Sequence, residues 1–162
     1  MGAELLSTEH GLTIKPVAIH ELDEWWPKVV GAIEDVRAKN SPSWTVGQVL
    51  DVLRDNRAWL ALTMYGDRIA GVTVICGDGD QFAQATDCLV WIAWADPRNR
   101  TLGIDREVRM FTQAVIDRVA GNAGFRTIRI HSPRKGWLKV ARELGYDLQG
   151  YVFCKSVGVT GG

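Results

Sequence analysis

"CLVWIAWADPRNRTLGIDREV", residues 88–108, changes character half-way along. Cys88 to Ala95 is an unbroken apolar, strand-like run. "DPRNRTLG" is polar and rich in arginine. From there Ile104, Val108, Phe111, Val115 and Val119 recur every three or four positions, the period of an amphipathic helix. The stretch therefore predicts a buried strand that passes through a short polar loop into a long helix ended by Gly121. Backbone N–H groups at a helix start have no acceptor within the helix, and the helix dipole is positive there. Such a terminus suits an anion, phosphate above all.

Working outward, "GLTIKPV" alternates as a first strand. Leu22, Trp25, Trp26, Val29, Val30 and Ile33 have helical spacing interrupted by Pro27, which predicts a kinked helix or two short ones. Thr45 and Gln48 have the form of a capping box ahead of Val46, Val49, Leu50 and Leu53, predicting a second short helix. "AWLALTMY" and "RIAGVTVIC", joined by "GD", read as a hairpin. "GDGDQFAQAT" is a loop without the further acidic residues that a calcium site needs. "FRTIRIH" is a strand, "GWLKVAREL" a helix stopped by Gly145, and "YVFCKSV" a last strand. The order β, α, α, β, β, β, α, β, α, β predicts an α/β (α+β) fold, a mixed central sheet of about six strands with helices on both faces.

At 162 residues and 46% apolar, the chain is expected to form a single domain over residues 11–158, with an extension at 1–10 and a tail at 159–162. Nineteen basic residues balance nineteen acidic ones, so no field of one sign favours a nucleic acid or an anionic membrane as partner. Any anion site must be local. The amino end lacks the basic-then-apolar pattern of a leader, and no apolar run is long enough to span a bilayer, so the expected location is cytoplasmic. Cys76, Cys88 and Cys154 share no metal-ligand spacing, and no metal site is expected. The seven tryptophans read first as core and second as partner contacts.

The pattern Ala95–Ile104, with Pro97, Arg100 and Gly103, resembles the pyrophosphate-binding loop of the GNAT acyltransferases, and the element order and the "ARELGY" ending are similar to that superfamily. The resemblance runs from about Leu12 to Val157. It implies acetyl-coenzyme A (acetyl-CoA) as cofactor, held by Arg98, Arg100, Thr101, Leu102, Gly103, Ile104 and Asp105, and transfer of an acyl group to a small-molecule or protein amine. Where the family has a second Gly or Ala, this chain has Asp105, whose carboxylate repels a diphosphate. The position of the family's frequent tyrosine acid holds Ala141, and Arg134 and Trp137 stand where an Asn and a small residue are usual. The stretch after Tyr146 has room for one long strand rather than the family's closing hairpin.

Acyl transfer to an amine needs a base for the amine proton, a donor for the developing oxyanion and, optionally, an acid for the thiolate. The resemblance places Asp87, His131 and Ser132 near the cleft, and Tyr146 or Tyr151 could serve as acid. The bland readings are a strand-end histidine for His131, a helix-entry serine for Ser132, a packed ring for Tyr146 and a core thiol for Cys88. "SPRKGWLKVARELGY" also resembles degenerate GNAT-like proteins of tailed bacteriophages. That implies the alternative of a non-catalytic virion or assembly protein, present in the virion or host cytoplasm, with the cofactor lost and protein partners in its place.

Overall fold

The computed structural model describes residues 11–40, 42–78 and 87–150. Strand β1 (Leu12–Val17) leads through a single 3-10 turn, Ile19–Glu21, into helix α1 (Leu22–Asn40). α1 is one continuous helix rather than the two short ones that Pro27 allowed for. The proline lies early in the helix with its ring exposed, so the missing donor costs one bond near the end. Leu22, Val29, Ile33 and Val36 are buried on either side of it and hold the helix against the sheet. Helix α2 (Val46–Arg54) begins with the expected capping box: the Gln48 N–H donates to Thr45 Oγ1 at 3.2 Å, and the Thr45 N–H donates to Gln48 Oε1 at 2.8 Å.

Strands β2 (Ala58–Tyr65) and β3 (Arg68–Asp78) form the hairpin, with Gly66 at φ +59° supplying the left-handed turn. β4 (Asp87–Ala95) follows, then the short helix α3 (Arg98–Thr101), helix α4 (Asp105–Asn122), strand β5 (Thr127–Ile130) and helix α5 (Trp137–Glu143). The five strands lie in chain order, antiparallel from β1 to β4, with β5 parallel to β4. The last strand expected at "YVFCKSV" and the 77–86 loop beyond Asp78 lie outside the described residues, as does residue Tyr151.

Helices cover both faces. α1 and α2 pack Val29, Ile33, Val49 and Leu53 against Leu60, Leu62, Val72, Val74 and Ile92. On the other face Ile104, Val108 and Phe111 of the α4 region meet Leu12, Ile14 and Ala70, while Ile116 and Ala120 meet Ile75, Cys88 and Val90. Burial of these aliphatic side chains is the main stabilising term.

Two irregularities shape the site. Pairing shifts from Val74↔Ile92 to Ile75↔Val90, so Trp91 is an extra residue in β4, a β-bulge. Val90 and Ala93 thus pack on the α4 face, and Trp91, Ile92 and Trp94 on the α1 face. Secondly, β5 pairs with β4 only over Asp87–Val90, while β4 runs on to Ala95. The two parallel strands part at the bulge.

Candidate functional site

Where the strands part, a slot opens on the α4 face. Its walls are Val90, Ala93 and Ala95 of β4, Val108, Thr112, Gln113 and Ile116 of α4, Ile130 of β5, and Trp137 with Leu144 beside α5. The lining is almost wholly apolar, with Arg109 at the α4 end, and the enclosed space is about 90 Å³. The backbone of β4 beyond Val90 has no strand on this side among the described residues.

At the open end of β4 the chain turns through α3 into α4. The amides expected to be free here are partly used by their own chain. Asn99 N–H bonds to Asp96 O, Leu102 N–H to Arg98 O, Gly103 N–H to Arg100 O and Ile104 N–H to Asn99 O, at 2.9 to 3.1 Å. "RNRTL" folds into a helical turn of its own, which the sequence reading had as open loop. The donors without a helical acceptor lie one turn later, at Asp105, Arg106 and Glu107, because α4 has Ile104 at its N-cap and an isoleucine cannot cap. Gly103, at φ +68°, makes the corner and has open space around its α-carbon.

The cofactor-loop residues separate into three groups. Arg98 is held by Asp96, with Nη2 to Oδ2 at 2.7 Å, and Ile104 is a core residue 8% exposed, so both serve the corner itself. Asp105 pairs along the helix with Arg109 at 3.3 Å. Arg100, Thr101 and Leu102 are exposed, and Arg100 and Arg106 have no ion partner among the described residues.

A buried network that sequence reading missed fixes this corner. Asp96, 4% exposed, accepts from Arg68 Nη1 at 2.8 Å, and Arg68 Nη2 donates to Asn99 Oδ1 at 2.9 Å. Asn99 Nδ2 and the Asp96 N–H both donate to the Ala70 carbonyl, at 2.9 and 3.0 Å. Burial raises the Asp96 pKa, but hydrogen bonds from Arg98 and Arg68 outweigh it and leave the carboxyl below its ordinary value.

The catalytic candidates are not brought together. Asp87 sits at the closed end of the β4–β5 pair, bonded to the Thr127 hydroxyl and to Arg129 at 2.7 Å. Trp91 is four residues further on, roughly 13 Å along the strand. Ser132 Oγ accepts from the Arg134 N–H at 3.3 Å, a local turn. His131 is exposed directly after Ile130, at the slot's edge. Tyr146 donates from its hydroxyl to Gln113 Oε1 at 3.0 Å, and Gln113 Nε2 donates to Asp117 at 2.8 Å. Burial pushes the Tyr146 phenol up to about 12. The bond from Tyr146 holds the Gln113 amide in place.

On the α1 face, Trp94 Nε1 donates to Asp35 Oδ2 at 3.0 Å, and Lys39 pairs with the same oxygen at 2.7 Å. The hydrogen bond from Lys39, stronger than the opposing effect of burial, holds Asp35 below the usual carboxylate range, with Trp94 adding to it. Beside it a pocket of about 400 Å³ is lined by Trp25, Lys28, Asp67, Trp94, Asp96 and Arg98, among others. Trp94 borders both cavities. Among the described residues no cluster of three His, Cys, Asp or Glu could hold a metal, and no helix is long and apolar enough to cross a membrane.

No protein-family model and no curated protein sequence matches the chain. Solved structures do. An aminoglycoside acetyltransferase, meta-AAC0020, from an uncultured soil metagenomic sample, in complex with sisomicin, superposes with a TM-score of 0.66 at 14% identity, over 91% of this chain and 97% of that one. A ribosomal-protein-alanine N-acetyltransferase from Brucella melitensis biovar Abortus 2308 gives 0.63 at 11% identity, over 91% and 100%. The aminoglycoside acetyltransferase AAC(6')-Iy, in complex with the bisubstrate analog CoA-S-monomethyl-acetylneamine, gives 0.63 at 15% identity, over 91% and 98%. The chain therefore has the GNAT fold.

Proposed function

We propose that the chain is an acyl-CoA-dependent N-acyltransferase acting on an amine. One observation carries the reading: β4 and β5 part at a bulge, leaving an apolar slot that runs beside α4 toward that helix's open N–H groups. The fold neighbours support it, since they are acetyltransferases and AAC(6')-Iy is complexed with a CoA-containing analog.

The donor set suits an acyl-CoA. The edge of β4 beyond Val90, unpaired among the described residues, offers backbone groups to the amides of an extended arm, Val90, Ile116 and Ile130 supply apolar walls, and the Asp105–Glu107 amides with Arg100 and Arg106 would receive a diphosphate. Gly103 leaves the approach open. About 90 Å³ is below the roughly 300 Å³ typical of small-molecule pockets, so seating the arm requires α5 to swing outward with Trp137. α5 has seven residues and none of them is buried, so little burial opposes its movement.

When bound, a thioester supplies the activated carbonyl: the C–N bond forms as C–S breaks, the amine gives up one proton, and sulfur leaves as the thiol. We assign the amine proton to His131, which is exposed and follows Ile130 of the slot wall. The oxyanion falls to backbone donors beside the bulge. Asp87 and Ser132, committed elsewhere, have no step in this scheme.

A second reading, a non-catalytic assembly or virion protein of the same fold, draws support from the narrow slot and from Asp105, whose charge opposes a diphosphate. Thermal unfolding with acetyl-CoA separates the two. A ligand at a hundred times its Kd adds about 2.7 kcal/mol, several degrees in midpoint. An unmoved midpoint at millimolar acetyl-CoA favours the second reading.

A further inference from the structure

Residues 137–146 hold together as one unit. The Leu144 N–H donates to Val140 O at 3.0 Å, the Gly145 N–H to Arg142 O at 3.1 Å and the Tyr146 N–H to Ala141 O at 2.9 Å, with Gly145 at φ +88° making the turn. These bonds fasten the Tyr146 backbone to the end of α5. Trp137 and Leu144 of the same unit line the slot. Among the described residues, one side-chain hydrogen bond joins the unit to α4: Tyr146 Oη donates to Gln113 Oε1 at 3.0 Å. Gln113 itself lines the slot and is 7% exposed. Its Nε2 donates to Asp117 Oδ1 at 2.8 Å, so the carbonyl end of the amide is the one left toward Tyr146.

We propose that this bond is a catch on the slot, and that Gln113 Oε1 accepts an amide N–H of the acyl-CoA arm once Tyr146 withdraws. The proposal rests on the acyltransferase reading for its ligand, but the catch itself does not. Oε1 can only accept, and in so buried a place an acceptor left without a donor costs more than a made bond returns. Because α5 must swing outward with Trp137 to seat the arm, Tyr146 leaves Oε1 as the arm arrives. The arm's N–H takes over the bond, and α5 then rests on the arm. Gln113 lies about 12 Å along α4 from Asp105, so a donor on the arm, rather than on the diphosphate, reaches it. The empty slot is thus held shut by a hydroxyl that stands in for the ligand's own donor.

The test compares the full chain with Tyr146→Phe, Gln113→Leu and the double variant, by hydrogen–deuterium exchange without ligand and by calorimetric titration with acetyl-CoA. Without ligand, both single variants should exchange about fivefold faster along residues 137–144, with the β2–β3 hairpin unchanged. Acetyl-CoA should bind Tyr146→Phe about fivefold more tightly, because the binding-competent fraction rises and the arm satisfies the orphaned Oε1. Gln113→Leu loses the arm's acceptor together with the catch. It should bind no more tightly than the wild type, and adding Tyr146→Phe to it should change nothing further. A merely structural Tyr146 would give weaker binding on loss of its hydroxyl, with or without Gln113. The proposal is overturned if Tyr146→Phe does not speed exchange along 137–144, if it binds acetyl-CoA no more tightly than the wild type, or if its gain persists beside Gln113→Leu. Should Gln113→Leu not fold, the exchange and affinity of Tyr146→Phe decide. If acetyl-CoA binds to none of the four proteins, the acyltransferase reading and the role of Gln113 toward the arm fall, while faster exchange in Tyr146→Phe keeps the catch. Acetyl-CoA binding with unchanged exchange and affinity in Tyr146→Phe keeps that reading and overturns the catch.

Discussion

The buried Asp96 and the partly buried Arg68 form an ion pair, Oδ2 to Nη1 at 2.8 Å, between the end of β4 and the start of β3. With Asn99 and the Ala70 carbonyl it fixes the direction in which the chain leaves the sheet for α4. Removing one member of a buried pair leaves the other charge uncompensated, which costs about 3–5 kcal/mol. Asp96→Ala should lower stability by about that amount in chemical denaturation. Arg98→Ala, at a side chain 70% exposed, should cost less than about 1 kcal/mol.

The same pair gives a pH dependence. Asp96 and Asp35 have folded-state pKa values below their ordinary ones. Their contribution is therefore fully present above the unfolded carboxylate value of about 3.9 and is lost as pH falls through the folded values. Stability should be flat from pH 7 down to about 5 and fall below about 4. Asp96→Asn should fall less steeply in acid than the wild type, as read by urea midpoints across the pH series.

Gly71 lies against the Trp94 backbone and the Thr63 side chain. A Cβ there would lie 3.3 Å from the Trp94 carbonyl oxygen and 3.4 Å from Thr63 Cβ, so β2 or β4 would have to shift. Gly71→Ala should destabilise by about 1–3 kcal/mol. Because the displaced strand carries Trp94, ligand binding in the slot should weaken with it.

Asp105→Asn removes the one carboxylate on the first position of α4 and releases Arg109 from its 3.3 Å partner. Charges about 4 Å apart interact by about 4 kcal/mol at an effective dielectric of 20. With much of that already offset by Arg109, acetyl-CoA should bind roughly tenfold more tightly in calorimetry, about 1.4 kcal/mol. Trp137→Ala, which empties part of the slot without touching the diphosphate end, should also raise affinity. If both variants bind acetyl-CoA more weakly than the wild type, the charge and width arguments are wrong.

Local signals carried much of this fold. Thr45 with Gln48, the "GD" turn and the switch from the apolar run at Cys88 to helical spacing at Ile104 each act within a few residues, and each is found where it was expected. What escaped depends on partners far along the chain. Arg68 and Asp96 are 28 residues apart and meet only because β3 and β4 are neighbours. Trp94 and Asp35 are 59 apart and meet where α1 packs on β4. Asp87 looked well placed at a strand start, but only the β4–β5 register reveals that this is the closed end. Pro27 does not divide α1, because packing of Val29, Ile33 and Val36 outweighs one lost hydrogen bond.

The most direct measurement of the central claim is hydrogen–deuterium exchange of the full chain with and without millimolar acetyl-CoA. Binding in the slot should slow exchange at residues 91–95 of β4, in the first turn of α4 and along residues 137–144. Unchanged exchange in all three segments, or protection confined to other parts of the sheet, would contradict it.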